Sequence, residues 1–305
     1  MTSLTILDGG MSRELQRLGA PFRQPEWSAL AMMETPEIVK QAHKEFIQAG
    51  SRVITTNSYA LVPFHIGEQV FEQRVGELAA NSVAVARAAA EESGEAVTVA
   101  ASIPPLFGSY RADLYEADRF EEIARPLVTA LEAGNPDVWL NETQSLLAET
   151  LAMKALVDSI DNEKKPYWVS FTLEDFEPSD TPKLRSGETV RDAVEAMANA
   201  GVDAILFNCS QPETISDAIR VAKDVLANSS DERIQNIKVG AYANAFAPQP
   251  KDATANDGLD EVRPDLTPET YTVWVKEWKD MGADMIGGCC GIGVEHIAAI
   301  KALGL

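Results

Sequence analysis

Short apolar runs rich in β-branched and aromatic residues alternate with longer amphipathic stretches along the 305-residue chain, and no other feature limits its fold as strongly. Strands are predicted at 4–7, 52–55, 97–101, 138–140, 167–171, 204–207, 238–241 and 285–286. A helical period follows each of them, clearest over 36–49 and in the alanine-rich 68–93. Gly50, Gly134, Gly201 and Gly282 stand shortly before strands, where helices commonly terminate. Eight such units with mostly short connections predict a (β/α)8 TIM barrel, with residues 1–305 forming a single domain. A doubly wound sheet would also use parallel strands, but it needs a switch-point crevice that the sequence does not mark.

In such a barrel the functional groups sit at the carboxyl ends of the strands. Taken as a ring, these ends carry Asp8, Gly9 and Gly10, then Thr56, Asn57, Ser58 and Tyr59, then Ser102, then Asn141, Glu142 and Thr143. Ser170, Phe171 and Thr172 follow, then Asn208, Cys209 and Ser210, then Tyr242, Ala243 and Asn244, and finally Cys289 and Cys290. Irregular stretches at 19–34, 103–118, 174–187 and 244–268 are expected on the same face. The last, rich in Pro, Asp and Asn, is expected to be a lid or a mobile acidic loop.

All three cysteines of the chain fall in that ring. Zinc takes thiolates at about 2.3 Å in a tetrahedron, so the adjacent Cys289 and Cys290 can share one ion only if the backbone bends sharply between them. Gly287, Gly288 and Gly291 are expected to supply that freedom. With Cys209 as a third ligand, one coordination position stays open, which suits a catalytic site better than a structural one. Three other readings use the same residues. Free cysteines often pack as small hydrophobes. Vicinal cysteines can form a strained disulfide, and a glycine-rich turn before a helix can cradle a phosphate with its N–H groups. Every cysteine coinciding with a strand end favours metal.

The formal net charge of -21 argues against nucleic acid, because phosphate backbones demand clustered Lys and Arg. It suits a cationic ligand, although acidic surface more often serves solvation. No run of roughly eighteen apolar residues is present, so no membrane span is expected. The start, MTSLTILDGG, lacks the pattern of a secretion signal. Three cysteines are too few for a disulfide framework, and a cytoplasmic protein is expected.

DGG at 8–10, TTNSY at 55–59, NET at 141–143, SFT at 170–172, FNCS at 207–210 and GGCCG at 287–291 followed by His296 and Ile297 resemble the homocysteine S-methyltransferases. This is a family of zinc-dependent barrels that includes the betaine and S-methylmethionine enzymes, and the similarity runs over nearly the whole chain. The resemblance implies Zn2+ held by Cys209, Cys289 and Cys290. It implies Glu142 holding the homocysteine amino group, with Asp8, Gly9 and Gly10 meeting the amino acid. Trp27 and Tyr59 would line the methyl-donor side, and Asn57, Ser170 and Asn208 from the same motifs complete the expected substrate contacts. There are departures. The chain reads ASIPPLFGSYRADLYEAD where the family often has GSIGP…LADGSEY, a loop that shapes the donor side, and it has Gly291, Ile292, Gly293 and Val294 where many members have Thr-Thr-Pro. The long carboxyl-terminal arm of the betaine enzymes is not in this sequence, which is closer to the short bacterial members.

The expected reaction moves a methyl group from S-methylmethionine, S-adenosylmethionine or a related onium donor to homocysteine, giving methionine. A free thiol is mostly protonated near neutral pH, and zinc would make the acceptor sulfur a thiolate. The onium donor departs neutral, so no general acid is required. His43, His65 and His296 are not expected as ligands, His43 and His296 because they lie in helical stretches. The cationic donor calls for aromatic faces, with Tyr110 and Tyr242 standing behind Trp27 and Tyr59. Plainer readings remain: the aromatics as core edges, Glu142 as a solvated carboxylate at a helix start, Asp8 as a turn cap. Two other classes also stand open, a non-catalytic zinc-binding sensor of thiols or sulfoniums and a metal-free barrel enzyme that holds phosphate. A monomer or small homo-oligomer is expected.

Overall fold

A computed structural model describes residues 4–176, 181–248, 250 and 261–305. Its strands are β1 (Thr5–Ile6), β2 (Val53–Thr55), β3 (Thr98–Ile103), β4 (Val138–Gln144), β5 (Tyr167–Phe171), β6 (Ala204–Asn208), β7 (Lys238–Tyr242) and β8 (Met285–Ile286). They form one parallel sheet in the order β1-β8-β7-β6-β5-β4-β3-β2. The wall curls until β1 meets β2, where the Arg52 N–H donates to the Ile6 carbonyl at 2.8 Å. Because β1 spans two residues, a side chain completes this seam: the Thr55 N–H donates to the Asp8 carboxylate at 2.7 Å. The architecture is the expected single-domain (β/α)8 barrel, nearly closed.

The helices Pro36–Ala49 and Glu68–Ser93 match the sequence period, the first opening on a proline whose missing N–H costs nothing at that position. Strand ends shift by one or two residues, and two larger differences bear on the site. Helix Ser28–Glu34 lies inside the stretch read as irregular, and most of its apolar residues are buried. β4 runs on through Asn141, Glu142, Thr143 and Gln144, all buried, although the sequence reading ends the strand at Leu140. Glu142 follows Leu140 on the inward side and faces the lumen, while Asn141 lies on the outward side with Trp139, so neither face of this run carries an apolar signal. The pairing of β4 with β5 slips between Asn141 and Gln144, where Thr143 takes φ 60.

Alternation along the strands builds the lumen. Val53, Ala100, Leu140, Leu206 and Met285 pack as one cluster inside the barrel, with Trp168 against it. Two residues further along the same strands, the next inward positions are Thr55, Ser102, Glu142, Ser170 and Asn208. The floor of the lumen is therefore apolar and its upper layer polar. Outward residues such as Ile54, Val99, Trp139, Val169, Ile205 and Val239 join Phe46, Leu78, Leu127 and Trp278 in the larger core between sheet and helices. Each fully buried side chain of this size contributes about 1.5–3 kcal/mol through lost water contact. The lid expected within 244–268 falls largely on residues 249 and 251–260, and the loop at 174–187 includes 177–180; these lie outside the described residues. Among the described residues, no helix is long and apolar enough to cross a membrane.

Candidate active site

The turn after β8 brings Cys289 and Cys290 beside Cys209 at the end of β6, and all three Sγ atoms lie within 4.8 Å of one another. Cys209 and Cys289 form a disulfide, with Cα atoms 5.6 Å apart. The Sγ atoms of the vicinal Cys289 and Cys290 are 4.0 Å apart and unbonded, so the adjacent-pair disulfide considered from the sequence is not the one formed. The extension of β7 serves as the template for both cysteine segments. Cys209 N–H donates to Tyr242 O at 3.3 Å, Cys289 N–H to Ala243 O at 2.8 Å, and Ala245 N–H to Cys290 O at 2.8 Å. Cys209 itself takes φ 48, a left-handed conformation that a side chain disfavours.

The glycines of this turn do less bending than the sequence suggested. Only Gly291 has a left-handed φ, at 82°. A Cβ on Gly288 would stand 2.1 Å from Ile292 Cγ2, and one on Gly10 would stand 2.5 Å from the Cys289 carbonyl oxygen. The paired glycines of the β1 and β8 ends thus let two backbone turns lie against each other. Four of the N–H groups that a phosphate cradle would use are already committed. The N–H groups of Gly288, Cys289, Ile292 and Gly293 are given to Asp8 O, Ala243 O, Cys289 O and His296 Nδ1.

Two carboxylates share the upper lumen. Glu142 accepts hydrogen bonds from the Ser102 hydroxyl and, at 3.2 Å, from Tyr242 OH. Burial pushes its pKa up to about 7. It is neither solvated nor at a helix start, which overturns the plainer sequence reading. Asp8 accepts from Thr55 N–H at 2.7 Å and Thr55 Oγ1 at 3.1 Å, and burial, with the Glu142 charge adding, raises it also to about 7. Asp8 joins two strands and does not cap a turn. Asn208 accepts from Ser170 Oγ at 2.5 Å and donates to Thr143 Oγ1 at 2.9 Å. The Asn57 amide donates to Ser28 O at 2.9 Å, so it holds the segment next to Trp27.

The aromatic candidates divide. Tyr59 OH lies 2.6 Å from Ser109 Oγ, and burial drives its phenol well above the usual range, with the nearby Glu142 and Cys290 pushing the same way. Trp27, at φ 51, has a buried indole N–H without a hydrogen-bond partner among the described residues. The His65 ring lies between Trp27 and Tyr59, 6.5 Å from each. Tyr242 belongs to the carboxylate side through Glu142. Tyr110 has one ring face covered by Arg185, at 4.8 Å. His43 is buried on helix Pro36–Ala49, and His296 braces the cysteine turn from Gly293 N to Leu266 O. No histidine joins the thiol cluster among the described residues.

Sequence reasoning missed one feature of this face, the buried ion pair of Arg185 and Asp175. Its only sequence signal is two opposite charges within a stretch read as irregular.

The family model for homocysteine S-methyltransferase matches residues 5–303. Homocysteine S-methyltransferase 1 of Arabidopsis thaliana is 27% identical over 97% of this chain and 92% of its own. The homocysteine methyltransferase MmuM of Escherichia coli, solved in a metallated form, superposes with a TM-score of 0.77 at 27% identity, covering 98% of this chain and 96% of its own. The same protein in an oxidized form gives 0.77 at 26% identity, with 98% and 96% covered. With the match spanning nearly every residue of the barrel, the chain belongs to the homocysteine S-methyltransferase family.

Proposed function

We propose that residues 1–305 act as one cytoplasmic enzyme domain that transfers a methyl group from a sulfonium or related onium donor, S-methylmethionine or S-adenosylmethionine, to the thiol of homocysteine, yielding methionine with zinc as cofactor. The observation that carries this is the convergence of three sulfur atoms within 4.8 Å at the carboxyl ends of the strands, the same end of the barrel that holds the buried carboxylate of Glu142. In a tetrahedral zinc–thiolate site the sulfurs stand about 3.8 Å apart, so this cluster, once Cys209 and Cys289 are reduced, fits such an ion with little rearrangement. Zinc bound there would supply Lewis acidity to hold the acceptor thiol as thiolate at neutral pH.

The chain's own residues do the rest. Glu142, steadied by Ser102 and Tyr242, offers a carboxylate to the amino group of homocysteine, and Asp8 adds negative potential from the β1 side. Burial strengthens both interactions, since charges attract more in a poorly screened site. Trp27 and Tyr59 offer ring faces to the onium charge, each contact contributing about 0.5–2 kcal/mol. The methyl group passes in line from donor sulfur or nitrogen to the acceptor sulfur, and the donor leaves neutral, so no proton need be delivered to it.

Metal analysis of the reduced protein together with a donor panel, with homocysteine as acceptor, tests the reading. About one zinc per chain and methionine formation with at least one donor are expected, and Cys209→Ala should lose both. Near-normal turnover by metal-depleted Cys209→Ala would refute the metal role. Zinc binding without turnover on S-methylmethionine, S-adenosylmethionine, betaine or dimethylsulfoniopropionate would instead favour a sensor of thiols or sulfoniums.

A further inference from the structure

Arg185 and Asp175 lie in the segment after β5, Nη2 to Oδ1 at 2.9 Å, with side chains 2% and 0% exposed. Stability alone does not explain such a pair: desolvating both charges offsets most of their attraction, and apolar residues of similar volume often serve as well. Its surroundings give it a use. Asp175 also accepts the Gln211 N–H at 3.1 Å, two residues beyond Cys209. Arg185 spreads its guanidinium over the Tyr110 ring, on the loop after β3. Tyr110 stands at φ 70, a conformation that an L side chain keeps only where its surroundings enforce it. The same loop is held at two further points: Ser109 by the Tyr59 hydroxyl, and the Leu106 N–H by the buried Glu149 carboxylate at 2.8 Å. Tyr110 follows Ser109 directly in the chain, so the ring that Arg185 covers stands next to the Tyr59 contact.

We infer that Arg185, fixed by Asp175, is a positioning residue for the methyl donor: packed over the Tyr110 ring, it holds the loop whose Ser109 hydroxyl meets Tyr59, and so sets the Tyr59 ring that faces the donor charge. This inference rests on the methyl-transfer reading above.

The test replaces both charges together, Arg185→Met with Asp175→Asn, because removing one alone strands a buried ion. Zinc content and the KM for homocysteine should stay at the parent values, while the KM for the onium donor rises about tenfold, the scale of one aromatic–cation contact. Tyr110→Leu should give the same rise, and combining it with the pair should add nothing. The single Tyr110→Leu decides the matter if the charge-free pair does not fold. An unchanged donor KM, an equal rise for both substrates, or additive effects would overturn the assignment. A parent protein that turns over no onium donor refutes the methyl-transfer reading itself and takes this inference with it, an outcome distinct from a parent that turns over while its variants keep a normal donor KM.

Discussion

Replacing Glu142 by Gln should stabilise the empty protein and weaken it as a binder, and the two effects have a common origin. The carboxylate is buried, and its pKa stands near 7 against an ordinary 4.5. Every tenfold change in proton affinity corresponds to about 1.4 kcal/mol, so ionised Glu142 costs the empty fold about 3 kcal/mol. Because the folded pKa is the higher one, the cost appears as pH rises. Below about pH 4.5 the group is protonated folded or unfolded, and no cost arises. Between 4.5 and 7 the unfolded chain gives up the proton while the folded one retains it, so stability falls as pH rises, and the loss is complete above 7. Unfolding entropy of about 2.1 cal/mol/K per residue turns 3 kcal/mol into about 5 °C for a chain of this length. The melting temperature of the parent should therefore fall between about pH 4.5 and 7, with Asp8 adding to the slope, and Glu142→Gln should remove about 5 °C of that fall. An ammonium group arriving beside Glu142 favours the ionised form, so homocysteine should bind the parent more tightly as pH rises from 6 to 8. The variant should lose that gain and show a KM about 10- to 100-fold higher, the range of a hydrogen bond between charged groups. Differential scanning fluorimetry at several pH values, paired with homocysteine kinetics, reads both effects. A variant that melts lower than the parent at pH 8, or a parent with a flat profile, would refute the buried-charge reasoning.

Gly10→Ala places a methyl group 2.5 Å from the Cys289 carbonyl oxygen, so it should cost about 1–3 kcal/mol and loosen zinc at least about tenfold in a chelator competition. Gly76→Ala is its counterpart: nothing lies within 4 Å of a Cβ on this mid-helix glycine, so about 0.5–1 kcal/mol of added stability with unchanged turnover is expected from thermal melts and kinetics. Asn57→Ala frees the Ser28 carbonyl beside Trp27, and the expected result is a donor KM raised about threefold to tenfold with the homocysteine KM preserved, measured in separate titrations of the two substrates.

The barrel was legible because it rests on repetition. Each short apolar strand followed by a helix repeats the same local signal, and errors at single boundaries do not disturb the count. The cysteines were legible for a different reason: three scarce residues all stood at strand ends, which the topology then brought to one place. Polar packing was harder to read. The strand read as ending at Leu140 runs on to Gln144, because the polar surroundings that bury Glu142 are visible only once the strands close on each other. Gly287 and Gly288 were read as hinges, yet their lack of a side chain matters to Leu7 and Ile292, neighbours supplied by the fold. Arg185 and Asp175 stand ten positions apart in the sequence, and no periodic pattern announces such a pair.

The raised pKa values of Glu142 and Asp8 bear on how one site can hold thiols and carboxylates together. Three thiolates on a divalent ion leave an excess of negative charge, and two ionised carboxylates nearby would add to it. Near pH 7 burial leaves each carboxylate partly protonated in the empty site, which limits that accumulation. On the reading proposed above, homocysteine brings an ammonium group that draws both carboxylates toward ionisation, and an onium donor brings a second cation to the rings of Trp27 and Tyr59. Proton release on homocysteine binding should then exceed what the thiol alone provides, by up to about 1.5 protons near pH 6.5, as measured by calorimetry in buffers of different ionisation enthalpy. Glu142→Gln should remove about half of that excess, and an unaltered release in the variant would place the titrating group elsewhere.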